Sequence, residues 1–516
     1  NYFYNKYYPF INLTGLESRM NSYKWKSIFV SILSLIPVNL YAGIDERINE
    51  FLEPTSRVVS QIVFYALPIG NANVELIVIW LIIGGIFCTL YFRFINFTAF
   101  KHSFDLVRGK FSDPSSTGEV SHFRALSTAL SGTVGLGNIG GVAVAISLGG
   151  PGATFWMILS GLLGMSLKFC ECTLGVKYRK INADGSVSGG AMYYLSEGLR
   201  EKGLPIIGKF LAYTFAIFCI FASLGGGNMF QVNQSLDLVV YISGGQGGFL
   251  DQNSWVYGLV FAVLIGFVII GGIKRIAAVT SRLVPSMAII YILSALIILV
   301  VNLEHIPAAV SSIFVGAFSP EGVTGGFMGV LILGFRRAVF SNEAGIGSAP
   351  IAHSAVKTDE PSTEGIVSLL EPFIDTVVIC TMTALVIIIT GVSSGQEGIE
   401  GARLTSEAFG SVLPWFPYVL AFVAVLFAFS TAISWSYYGV KAVTFIFGEV
   451  RSAELIYKIV FCIFAVIGSS LDLTKVIDLS DSALFLMAIP NLIGVYLLAS
   501  VVKMEYNRYQ EKINSG

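Results

Sequence analysis

Apolar stretches of about 20 residues recur along this chain from residue 74 to residue 502, the length an α-helix needs to cross the hydrocarbon of a bilayer. That repetition constrains the fold more than any other feature, because a segment in lipid must satisfy its backbone N–H and C=O groups internally. Of the 516 residues, 54% are hydrophobic and 13% charged, whereas soluble domains carry about 25% charged residues. An all-α integral membrane protein is expected.

Hydropathy predicts spans near 74–95, 123–148, 152–177, 206–236, 255–273, 281–301, 324–349, 367–391, 414–440, 454–470 and 481–502, about eleven transmembrane helices. Lys and Arg orient them. Arg93 to Lys110, Lys177 to Lys180, Lys274-Arg275, Arg282, Lys357, Arg451 and Lys503 to Lys512 fall on one side, which the positive-inside rule makes cytoplasmic. The opposite connections Ser243 to Ser254 and Asn302 to Thr324 hold no Lys or Arg, with Arg403 and Lys475 as isolated exceptions. An odd number of spans places the start of the first outside and the C-terminus in the cytoplasm.

A different pattern precedes the first span. After Met20 come Lys24 and Lys26, an apolar run from Ile28 to Val38, and Leu40-Tyr41-Ala42. Residues 1–42 therefore read as an upstream extension followed by either a signal-peptide-like segment or an uncleaved anchor. An exported start to the first span agrees with the former. Residues 43–73 read as an extracytoplasmic amphipathic segment.

Setting aside a peripheral span and its basic cytoplasmic loop (74–120) leaves ten spans, which divide into repeats of five at 121–301 and 302–502, followed by a cytoplasmic tail at 503–516. A repeat with an odd number of spans inserts its second copy upside down, a common transporter architecture. The first span of each half carries the same anomaly. Residues 131–141 read Ser-Gly-Thr-Val-Gly-Leu-Gly-Asn-Ile-Gly-Gly, and residues 340–350 read Phe-Ser-Asn-Glu-Ala-Gly-Ile-Gly-Ser-Ala-Pro. Each glycine costs about 1 kcal/mol relative to alanine in a helix interior, so discontinuous first and sixth core helices are expected. Glycines alone would suit close helix packing. Asn138, Asn342 and Glu343 point further, because polar groups in a membrane are costly unless paired or functional.

Freed backbone groups at such breaks need partners that lipid does not offer. Half-helix N-termini suit a carboxylate and exposed carbonyls suit a small cation, so a zwitterionic amino acid with sodium satisfies both. Hydroxyls for a hard cation stand at Ser430, Thr431 and Ser434, and at Thr376, Thr381 and Thr383, unless they back-bond within their helices. Gln231 and Asn233 place amides in an otherwise apolar helix. A net charge of -1 gives no field for nucleic acid. The histidines His102, His122, His305 and His353 are scattered, so no enzyme centre is expected. Cys170-Glu171-Cys172 is a poor metal site, and the six cysteines read as small packing residues.

Gly132-Thr-Val-Gly-Leu-Gly-Asn-Ile-Gly-Gly-Val-Ala, Gly149-Gly-Pro-Gly-Ala-Thr-Phe-Trp and Phe340-Ser-Asn-Glu-Ala-Gly-Ile-Gly-Ser-Ala-Pro-Ile-Ala-His resemble blocks of the alanine-or-glycine:cation symporter family. Gly190-Ala-Met-Tyr-Tyr, Gly227-Asn-Met-Phe-Gln-Val-Asn-Gln, Asp375-Thr and Phe429-Ser-Thr-Ala-Ile-Ser-Trp-Ser-Tyr-Tyr-Gly are similar to further blocks, over about residues 70–500. The resemblance implies the five-plus-five inverted repeat of the amino acid–polyamine–organocation superfamily, in the plasma membrane of a prokaryote (the inner membrane of a Gram-negative one). It also implies sodium-driven uptake of alanine or glycine by alternating access, with sodium as coupling ion and no organic cofactor. A proton-coupled carrier and, behind it, a channel are the alternatives.

By that resemblance the substrate carboxylate lies on backbone N–H groups of Val134 to Gly137, beside Thr133 and Gly135. The amino group faces Phe340, Ser341 and Asn342, with Gln231 and Asn233 as further contacts. Val-Gly-Leu-Gly-Asn is also similar to the first break of sodium-coupled neurotransmitter-type transporters. That analogy puts sodium between carbonyls of Ser131 and Val134 and the hydroxyls of Ser430, Thr431 or Ser434, with Asn138 as a second ligand. Phe230, Phe340, Met382 and Trp435 are expected walls. Arg336-Arg337 is expected to line an outer vestibule, Glu343 and Asp375 to act in proton coupling or as buried anchors, and His353 to be structural or interfacial, with a proton relay as its alternative.

Overall fold

Among the described residues, each apolar run from residue 74 onward forms a helix, as backbone in lipid requires. The computed structural model describes residue 54, residues 57–69 and residues 72–515, except 112, 114, 184, 246, 319–325 and 393–400. The signal-like or anchor segment expected within 1–42, and part of the amphipathic segment expected at 43–73, lie outside the described residues.

A short antiparallel hairpin comes first, β1 (Ala66–Ile69) with β2 (Ala72–Glu75), pairing Ala66 with Glu75. The helices α1 (Leu76–Tyr91), α2 (His122–Thr133), α3 (Gly137–Gly149), α4 (Ala153–Lys177), α5 (Pro205–Ile242), α6 (Ser254–Ile269) and α7 (Gly272–Val301) follow. Then come α8 (Ile306–Phe318), α9 (Gly326–Asn342), α10 (Ala349–His353), α11 (Pro361–Thr390) and α12 (Ala402–Val412). The last three are α13 (Phe416–Phe447), α14 (Arg451–Ser469) and α15 (Leu473–Ser515). Among the described residues, seven helices are long and apolar enough to cross a membrane, and the pair α2 and α3, bent by 52°, makes an eighth.

Two details refine the expected all-α pattern. Besides β1 and β2, Lys180–Ile181 pairs with Val187–Ser188. Both pairs are too short to bury a face and sit in connections, where side chains and water can serve their edges. The cytoplasmic tail expected at 503–516 continues α15 to Ser515, held by Arg508 and Lys512 on Glu360 at 3.0 and 2.8 Å.

The broken segments occupy the middle of the molecule, with residues 125–143 and 337–356 buried throughout. α4 packs against α1, α9, α10 and α11, while α13 packs against α2, α5 and α7. Glycines on α4 set the close approach: a Cβ on Gly164 would lie 2.8 Å from the Ala344 Cβ, and one on Gly175 2.7 Å from the Pro350 Cβ. Small residues that let helices approach are thus used beside the second break. On the outside, Phe210, Phe221, Phe267, Val300 and Phe422 are exposed, the apolar surface that a lipid-facing helix presents.

Candidate functional site

α2 stops because Val134 turns extended, with φ -73° and ψ 95°, while its N–H still closes the helix on the Leu130 carbonyl at 2.7 Å. The next donors are turned away from the helix. Gly135 N–H donates to Asn138 Oδ1 at 2.8 Å, and Leu136 N–H donates to Gln231 Oε1 at 3.2 Å. Gln231 Nε2 donates in turn to the Gly226 carbonyl at 3.0 Å, in a π-helical turn of α5 at Gly225–Met229. The first break therefore presents backbone donors capped by side-chain amide oxygens. Val134, expected in the carboxylate cradle, has its N–H committed to α2.

The second break runs from Glu343 to Ser348, between α9 and α10. Glu343, Gly345 and Gly347 all adopt positive φ, at 57°, 87° and 86°. Glycine does so freely, whereas a glutamate does so only where its surroundings hold it. Trp435 Nε1 donates to Glu343 Oε1 at 3.0 Å, and the Ser348 hydroxyl donates to Oε2.

Asp375 of α11 joins the two breaks. Asn138 Nδ2 donates to its Oδ1 at 2.6 Å, and the hydroxyls of Ser341 and Thr376 donate to its Oδ2 at 2.8 and 2.7 Å. Asn342 accepts the Ala344 N–H at 2.9 Å and donates to Thr376 Oγ1 at 2.9 Å. Gly137 and Ser341 face each other so closely that a Cβ on Gly137 would lie 3.4 Å from Ser341 Cα.

Between the breaks lies a small cavity lined by Gly132, Thr133, Gly137, Gly226, Gln231, Phe340, Glu343, Trp435 and Leu484. Of the residues expected at the substrate, Thr133, Gly137, Gln231 and Phe340 line it. Gly135 stands behind Gln231, and Ser341 and Asn342 turn toward α11. Asn233 is not brought there: its Nδ2 donates to the carbonyls of Leu471 and Gly468, at 2.7 and 3.3 Å. Of the expected walls, Trp435 and Phe340 line the cavity and Phe230 backs Phe340 with ring centroids 4.9 Å apart, while Met382 is not in the lining. Sequence reasoning gave no role to Gly132, which it read only as part of the first break, and missed Gly226 and Leu484. A backbone carbonyl and an ordinary leucine carry no chemical signature.

The hydroxyls expected at sodium divide. The Ser131 hydroxyl donates to the Ser430 carbonyl at 2.7 Å, and the Ser430 hydroxyl back-bonds to the Phe427 carbonyl at 3.0 Å. Thr431 Oγ1 and Ser434 Oγ are buried with no hydrogen-bond partner among the described residues. Thr431 Oγ1 abuts the first break, 2.7 Å from where a Gly135 Cβ would be. Buried hydroxyls are normally bonded, so this pair, with Thr431 against the unwound backbone, fits a hard cation that takes oxygen ligands.

On the Leu484 side, Arg336 and Arg337 converge on Asp481. Arg336 donates to Asp481 Oδ2 from Nε and Nη2 at 3.1 and 2.9 Å and to Glu75 Oε1 at 2.8 Å, and Arg337 reaches the same Asp481 oxygen. The Arg336 guanidinium stacks 3.6 Å over the Phe64 ring, and that of Arg337 lies 5.3 Å from the Phe340 ring. Instead of lining an open vestibule, the arginines form an ion-pair layer over the aromatic wall of the cavity.

Comparison with known proteins bears on the family and the fold. The model of the sodium:alanine symporter family matches residues 60–516. The chain is 41% identical to the sodium/alanine symporter AgcS of Methanococcus maripaludis, covering 83% of this chain and 92% of that protein. It is 35% identical to the amino-acid carrier protein AlsT of Bacillus subtilis, over 85% and 90% of the two chains. Among solved structures it resembles MhsT in complex with L-phenylalanine, with a TM-score of 0.52 and 18% identity over 74% of this chain and 89% of that one. That likeness concerns the fold.

Proposed function

The chain belongs to the sodium:alanine symporter family, and from that premise we propose that it takes up a small neutral amino acid, alanine or glycine, together with sodium by alternating access. It is a multi-pass membrane transporter rather than an enzyme. The observation that carries the coupling ion is the pair of buried, unbonded hydroxyls on Thr431 and Ser434, the first of which abuts the first break.

In this reading the amino-acid carboxylate displaces the Gln231 amide from Leu136 N–H and extends over Gly135 and Gly137. Its amino group turns toward Phe340, Ser341 and Asn342, with Thr133 alongside. Sodium takes carbonyls of Ser131 and Val134 with Thr431 and Ser434, and Asn138 is a second ligand oriented by Asp375. The layer at Arg336, Arg337 and Asp481 closes the outer route.

Eleven spans follow if α1, α6 and the broken pair α9 and α10 cross with the eight long ones. The first is peripheral, and the other ten form inverted repeats over 121–301 and 302–502. The start of α1 is outside and the basic face is cytoplasmic.

Uptake of labelled alanine, glycine and serine into proteoliposomes under an imposed sodium gradient tests the proposal. Accumulation that follows sodium is expected. Accumulation indifferent to sodium but driven by a proton gradient would replace it with the proton-coupled alternative, and flux without counterflow would indicate a channel.

A further inference from the structure

A run of titratable side chains leads from the cavity through buried protein toward the rim near His122. Glu343 is the charged side chain among those lining the cavity. Lys168 of α4 lies within electrostatic reach of Glu343 and donates to Glu371 Oε1 at 2.9 Å. The second oxygen of Glu371 stands 3.4 Å from His353 Nε2, His353 Nδ1 meets Glu364 Oε1 at 2.5 Å, and Glu364 Oε2 meets His122 Nδ1. All six residues are at most 3% exposed. His122 opens α2, where Ser121, Phe123 and Arg124 are exposed.

Ion pairs that merely bind helices together would balance. Here Glu343, Glu364, Glu371 and also Glu171, within reach of Lys168, face one lysine and two imidazoles. Even with both imidazoles protonated, one carboxyl must keep a proton for the cluster to be neutral, and an unpaired buried charge is strongly disfavoured. The surrounding groups do not repair this. Asp375 faces Glu371, Cys172 and the Tyr438 phenol face the inner end, and Arg179, itself facing Asp359, faces Glu364 at the outer end.

His353 has a carboxylate at each ring nitrogen, the arrangement in which imidazole accepts a proton on one side and releases it on the other. Its Nε2 and the facing Glu371 Oε2 are both without a hydrogen bond among the described residues, and Glu343, bonded to Trp435 and Ser348, shares none with Lys168, so two gaps interrupt the chain.

We propose that Glu343 holds a proton while the cavity is empty, and that the arriving ammonium group of the amino acid drives this proton along the chain to the rim at His122. The inference rests on the amino-acid reading above. The Glu343 O–H bond breaks as its carboxylate pairs with the ammonium. Lys168 gives a proton to Glu371 and is recharged by the one from Glu343. Glu371 passes its proton to His353 Nε2, and Nδ1 releases one through Glu364 to His122 and water. One proton leaves, and every intermediate group ends with the charge it began with, His353 carrying its proton on Nε2 in place of Nδ1.

The test uses the full chain, solubilised in sodium and weak buffer with a pH indicator, while equilibrium dialysis measures bound labelled alanine. The same additions without sodium set the baseline. Wild-type protein should release about one proton per alanine bound. Glu343→Gln should still bind, about tenfold more weakly, and release none. His353→Gln should bind normally and release its proton at least about tenfold more slowly. Alanine bound without proton release in the wild type would overturn the inference and leave the transport reading intact, and release at the wild-type rate from His353→Gln would overturn the path. No sodium-dependent binding in the wild type would strike the amino-acid reading and this inference together.

Discussion

Gln231 Oε1 accepts the Leu136 N–H at 3.2 Å, so a side-chain amide from α5 occupies a backbone donor of the first break. A buried N–H left bare costs about 1–3 kcal/mol, and the amide removes that cost while remaining neutral. A ligand carboxylate brings a charge-assisted bond to the same donor and can displace it.

Gln231→Glu keeps the length of the side chain and places a carboxylate where the ligand carboxylate belongs. Alanine affinity should fall about 100-fold, roughly 2.7 kcal/mol, with sodium binding retained. Equilibrium binding checks this, and unchanged affinity would remove Gln231 from the site.

Thr431→Val and Ser434→Ala delete hydroxyls that bond to nothing among the described residues. Because no protein hydrogen bond is lost, thermal stability without sodium should change by less than about 1 kcal/mol. The sodium concentration for half-maximal uptake should rise at least about tenfold in each. Equal sodium dependence in wild type and both variants would count against the cation site.

Gly135→Ala would put a Cβ 2.7 Å from Thr431 Oγ1 and 3.0 Å from Gln231 Oε1. Such crowding costs about 1–3 kcal/mol, and both strained neighbours belong to the site. Alanine binding and sodium affinity should each drop about tenfold or more in protein that still elutes as a folded species. Loss of only one of the two would separate the cation from the cradle.

Asp481→Asn removes the carboxylate shared by Arg336 and Arg337. Breaking a buried pair from one side costs about 3–5 kcal/mol, so the melting temperature in detergent should fall. A melting curve identical to wild type would mean that the layer is already solvated.

Lys168 and Glu371 are both fully buried. Glu371→Leu should be destabilising on the same scale, whereas combining it with Lys168→Met should recover most of that loss, because desolvation of the pair disappears with its attraction. A double-mutant cycle measures it, and additive losses would show that the two do not act as a pair.

Both breaks were legible because glycine and polar residues inside an apolar run conflict with continuous helix over neighbouring positions. The functional residues were less so. Gln231 and Asn233 give the same signal, an amide in an apolar helix, yet positions two apart point to different sides of that helix. Gln231 reaches the Leu136 N–H, while Asn233 holds the carbonyls of Leu471 and Gly468. Nothing local distinguishes them. Glu343 reads from sequence as an anchor or a proton carrier, and its place in the cavity depends on a positive φ beside Trp435.

The sequence by itself determined which segments are apolar enough to enter lipid, how charge divides among the loops and where two helices cannot continue, because hydropathy, charge and glycine content act over adjacent residues. Tertiary structure alone decided which donor meets which acceptor. Leu136 and Gln231 lie 95 residues apart, Lys168 and Glu371 203, and Arg337 and Asp481 144. Pairings at such separations are set by how the helices pack, and no local pattern carries them.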